Sequence, residues 1–113
     1  MRNIASHDDF VAEKIQELVR TAREIIDGSV GVIKGCRKLV SLQHQIDVGA
    51  LDADFLPIVG IVSETDELPI GDVRQNWNPD ALAELDDEIQ ETQALYKPTA
   101  DAACTKLIDR FGS

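Results

Sequence analysis

The chain has 113 residues, 43% of them apolar but only 4% aromatic, with a formal net charge of -10 at pH 7. That profile fits one domain, residues 1 to 113, with a Val, Ile, Leu and Ala core that needs neither disulfide nor metal. It argues against nucleic acid or anionic lipid as a direct ligand, because both demand positive charge at the contact.

Taken from the N-terminus, Ser6 reads as a helix cap with Asp8 and Asp9 facing the positive end of the dipole. Val11, Ile15, Leu18, Val19, Ala22, Ile25 and Ile26 then recur at steps of three and four, and Gly28 supplies a left-handed stop, predicting a helix over residues 7 to 27. Ser29 reads as the cap of a second helix, residues 30 to 46, whose stripe runs through Val32, Ile33, Cys36, Leu39 and Val40. Gly31 and Gly35, four apart on one face, predict a close helix contact. Residues 54 to 66 allow helix or strand. Pro57 favours a short helix, since a proline is tolerated in a first turn and breaks a central strand ladder.

Glu67-Leu68-Pro69-Ile70-Gly71 reads as a turn, followed by about one helical turn from Asp72 to Trp77. Asn78-Pro79 is a helix start, Asn as cap and Pro at the first helical position. An apolar stripe of Leu82, Leu85, Ile89, Tyr96, Ala103, Leu107 and Phe111 follows, with Pro98 predicting a kink or a division into two helices. The expected fold is an all-α bundle of four or five helices ending in a long, Pro-kinked helix. No run is apolar and long enough for a membrane span, and no signal-like stretch follows Met1, so a cytoplasmic protein is expected.

Charge is distributed unevenly. Thirteen of the 21 acidic residues lie between Asp47 and Tyr96, where Arg74 is the only cation, while residues 1 to 46 carry seven Lys/Arg against six Asp/Glu. Asp80, Glu84, Asp87, Glu88 and Glu91 fall at three- and four-residue steps and form one acidic ridge on a helix. Like charges at that spacing repel, so a cationic partner is attractive; a solubilising face is the plainer alternative. Just upstream, Arg74 is expected to pair with Glu64, Asp66 or Asp72 and pin the turn, with Trp77 closing the core beneath it and bonding through its indole N–H. The same turn, with Glu67, also offers a binding surface.

No catalytic constellation, metal set or cofactor motif is expected. Cys36 and Cys104, 68 positions apart and without Cys or His at ligand spacing, read as reduced, buried thiols. A magnesium-dependent pyrophosphohydrolase would need Glu13 and Glu17 to face Glu84, Glu88 or Glu91, and the chain lacks the EExxE and ExxD pattern of the all-α enzymes of that kind. A structural module would pair the long helix with its copy through Leu85, Ile89 and Tyr96, giving a homodimer.

The segment Ser63-Glu64-Thr65-Asp66 with Leu68, Pro69, Gly71, Arg74 and Trp77, preceded by a Gly31, Gly35, Leu39 helix, resembles a group of small uncharacterised proteobacterial proteins over residues 24 to 110. That likeness implies no activity. In general physical type the chain also resembles the immunity proteins of nuclease bacteriocins and contact-dependent toxins, which are small, acidic, helical and cytoplasmic. This second likeness implies a basic toxin domain as partner. The expected function is therefore an acidic binding protein that docks a basic protein through Glu64, Asp66, Glu67, Asp72, Arg74, Trp77 and the ridge.

Overall fold

The computed structural model describes the backbone of residues 2–112 and the side chains of residues 8–70 and 73–112. Four α-helices form, α1 (Arg2–Asp27), α2 (Val32–Gln45), α3 (Leu56–Thr65) and α4 (Pro79–Phe111), with a 3-10 segment, Gly71–Asn76, ahead of the last. The all-α expectation holds, and among the described residues there is no strand. The ambiguous stretch around Pro57 is helix, with the proline in its first turn, where the early amides have no intrahelical acceptor to lose.

Two expected caps are replaced. Residues Arg2 to Ala5 contain no Gly or Pro, and the helix begins there, so Ser6 lies inside α1; its side chain and that of His7 fall outside the described residues. Ser29 does not cap α2, because its amide and hydroxyl both donate to the Asp27 carboxylate inside the turn. Gly31 occupies the cap position with no side chain to offer, and the free amide of Ile33 instead donates to Gln93 Oε1 of α4 at 3.2 Å. One turn further along α4, Lys97 Nζ donates to the carbonyls of Ile25 and Ile26 at 2.6 and 3.0 Å, closing the C-terminal end of α1. One face of α4 thus satisfies both helix ends of the α1–α2 turn.

These contacts fix the helix directions. Gln93 meets the start of α2, Lys97 the end of α1, and the Tyr96 hydroxyl bonds Glu64 near the end of α3. At the other pole Phe111 meets Phe55 with ring centroids 6.3 Å apart, and Arg110 Nη1 donates to Asp52 and Asp54 at 2.9 and 3.0 Å. From Gln93 onward α4 therefore runs antiparallel to α1 and α3 and parallel to α2, and these four lengths enclose the core. Leu18, Ile25, Leu39, Phe55, Ile58 and Leu107 are buried there. Pro98 lies within α4 but does not divide it. It sits on the exposed side, as does Ala94, whose carbonyl loses its donor and can turn to water.

The close approach anticipated from the α2 glycines is present. A Cβ at Gly35 would stand 2.4 Å from Ile25 Cγ1 and 2.6 Å from its Cδ1, and one at Gly31 2.7 Å from Gln93 Oε1. Gly28, at φ 84°, takes the left-handed position that ends α1. Gly35→Ala gains helix propensity but overpacks a fully buried Ile25, and overpacking costs about 1–3 kcal/mol. A lower urea midpoint with an unchanged slope is the expected readout.

Candidate functional site

At 33 residues, α4 is about 50 Å long at roughly 1.5 Å per residue, in a molecule 55 Å along its longest axis. Its length before Gln93 reaches past the ends of the other three helices. No residue of α4 is buried before Ile89, and Leu82 and Leu85 are only partly buried. The segment from Asp66 to Asn78 accompanies this overhang, tied to it by Arg74 Nη2, which donates to Asp86 Oδ1 at 2.8 Å, while Arg74 Nη1 donates to the Pro69 carbonyl at 3.2 Å. Asn78 Oδ1 accepts from the Asp80 amide at 2.8 Å, the cap that opens α4.

The acidic ridge stands on the solvent side of the overhang. Asp80, Glu84, Asp87, Glu88 and Glu91 are all exposed, and among the described residues none is within ion-pairing distance of a Lys or Arg. Several cations pair on the bundle instead. Glu17 is paired with Lys38 and Lys14, and Lys38 in particular holds its carboxyl below the usual range. Arg110 does the same to Asp52, and Lys97 is paired with Asp101. Lys14, Lys38, Lys97 and Arg110 thus pair within the bundle, and no Lys or Arg among the described residues reaches the ridge.

The upstream site residues divide. Asp66 and Glu67 are exposed and unpaired among the described residues, and the side chain of Asp72 falls outside them. Glu64 accepts from the Tyr96 hydroxyl, which is pushed above its ordinary pKa by that carboxylate. Arg74 pins the turn as expected but through Asp86 on α4 and not through Glu64 or Asp66. The α3 end is instead held by Arg37, whose Nη2 donates to the carbonyls of Thr65 and Leu68 at 2.6 and 3.1 Å. Trp77 does not close the core. It is 38% exposed, with Val73 at 46%, because the overhang offers no facing helix to bury them.

Glu13 and Glu17 lie on the part of α1 that precedes its buried Leu18, far from the Lys97 end where α4 begins to overhang. Among the described residues no group of three or more His, Cys, Asp or Glu side chains is gathered as a metal would require. Ile89 is 5% exposed, so the pairing stripe of Leu85, Ile89 and Tyr96 is largely committed within the chain. No helix among the described residues is long and apolar enough to cross a membrane.

Cys36 of α2 and Cys104 of α4 are both fully buried in the core, and burial pushes each thiol up to about 12. Neither is a nucleophile near neutral pH. In the folded protein both thiols should resist a disulfide reagent at pH 8, and both should react once guanidinium unfolds the chain; rapid reaction of either before unfolding would contradict this burial.

A shallow cleft of about 390 Å³ was not anticipated from the sequence. It opens between the start of α3 and the C-terminal half of α4 and is lined by Ala53, Pro57, Pro98, Thr99, Ala102 and Lys106 among others. The signal for it is faint: small residues and two prolines on faces that the helical period turns to solvent. Comparison of the chain with family models, with curated proteins and with solved structures gives no match.

Proposed function

We propose that this chain is an acidic binding protein of the cytoplasm that docks a basic protein, with a nuclease toxin domain as the candidate partner by likeness of physical type to immunity proteins. The observation that supports it is the grouping of unpaired carboxylates. Asp80, Glu84, Asp87, Glu88 and Glu91 stand together on the overhang of α4, exposed and without an ion pair among the described residues, although repulsion between neighbours costs a few tenths of a kcal/mol per pair. Concentrated charge on a projecting rod speeds encounter with a cationic surface, and Val73 and Trp77, exposed just ahead of its free end, supply apolar contact once the partner arrives.

Capture from a native cytoplasm at low salt, followed by mass spectrometry and repetition of the binding with the purified partner across a salt series, tests this reading. A basic protein whose affinity falls as salt rises is expected. An affinity independent of salt, or a neutral or acidic partner, would remove it.

A further inference from the structure

The exposed side of α4 carries more than the ridge. Glu84, Glu88, Glu91, Leu95, Pro98, Ala102 and Lys106 follow one another at steps of four, three, four, three, four and four, so they share one stripe, and every one of them is exposed. The stripe spans roughly 33 Å at about 1.5 Å per residue. It changes character along its length. The first three positions are carboxylates; Leu95, 72% exposed, marks the change; Pro98 and Ala102 then form one wall of the cleft, opposite Pro57 of α3. Lys106 ends the stripe with an ammonium group that has no ion-pair partner among the described residues.

A Leu held out in water beside an apolar cleft, in register with unneutralised carboxylates, has the layout of a helix-in-groove site. The cleft is within the size range of pockets that take side chains or small ligands, roughly 300–1,000 Å³. Its small walls, Ala53, Ala102 and Thr99, leave room for a large apolar side chain from outside. The charge pattern selects the occupant: cations must come at the Glu84 to Glu91 end and apolar groups at the Leu95 to Ala102 end.

We infer that the docking element of the basic partner is an amphipathic helix, cationic over one half and apolar over the other, laid along this stripe with a large apolar side chain seated in the cleft. This rests on the basic-partner reading and adds to it the anchor. Electrostatic attraction by the ridge alone would accept any cationic segment; the cleft restricts acceptance to those that carry the anchor about three to four turns from their charges.

Two labelled synthetic helical peptides test it by fluorescence anisotropy. One has lysines along its first half and leucines along one face of its second half; the other has the same lysines with every leucine replaced by glutamine. The leucine peptide should bind at least about ten-fold more tightly, since even one buried leucine supplies that much. Ala102→Gln, which fills the cleft from an exposed position without changing charge, should erase the difference while circular dichroism stays helical. Equal binding of the two peptides to the unmodified protein would overturn the anchor and leave the basic-partner reading intact. If neither peptide binds even at low salt, both fall.

Discussion

Replacing Asp87 and Glu88 together by Lys is expected to weaken binding of the proposed basic partner by about ten- to a hundred-fold at low salt. Each exposed ion pair contributes about 0.2–1 kcal/mol, and reversal both removes an attraction and adds a repulsion, so two positions reach roughly 1.4–2.8 kcal/mol. The same change should slightly raise the melting temperature. Lys at position 87 would lie four residues before Glu91 and three after Glu84, turning repulsions within the ridge into attractions. Opposite signs for affinity and stability separate this result from simple unfolding. Calorimetric titration at two salt concentrations, with a melt of each protein, measures both; an unchanged dissociation constant would sink the electrostatic account.

The largest loss of stability is expected at the opposite pole. Phe55 is fully exposed to no solvent, bridges the loop before α3 to the end of α4, and stacks at a tilt of 58° against Phe111. Phe55→Ala should cost about 3–5 kcal/mol, from lost apolar burial and from the cavity left between helices that cannot close on it. Urea unfolding followed at 222 nm gives the value. A loss below about 1 kcal/mol would mean that this pole is far looser than its packing implies.

Arg110 lies over the Phe111 ring at 4.8 Å and bonds Asp52 and Asp54, so the same pole is sensitive to acid. The Asp52 carboxyl is held below its ordinary value, chiefly by its hydrogen bond from Arg110. A depressed carboxylate stabilises the fold fully above the unfolded value of about 3.9 and loses that contribution as pH falls through its lower folded value. Arg110→Gln should therefore flatten the decline of stability below about pH 4 and leave its shape near neutrality unchanged.

What the sequence discloses is what nearby residues determine. Asn78-Pro79 announces the start of α4 because the cap and its amide are two positions apart, and the stripes of α1 and α2 announce their buried faces through period alone. The ridge was legible for the same reason. Contacts closed by the fold were not. The partner of Arg74 stands twelve residues away on another element, and the cap of α2 comes from Gln93, sixty positions beyond the amide it serves. Trp77 misled because a lone tryptophan suggests a core residue, and only the overhang of α4 explains why no surface meets it. The cleft needed two helices to be brought side by side before Pro57 and Pro98 had anything in common.

That α4 runs on beyond its neighbours means that a single rod is held to two different standards. Gln93 to Phe111 is bound by the demands of close packing, and substitutions there are answered by the whole molecule. Pro79 to Glu88 carries no buried side chain, so its exposed positions other than Asp86 can be rewritten with little penalty to folding. The free end can therefore drift in surface character while the anchored end keeps the scaffold constant.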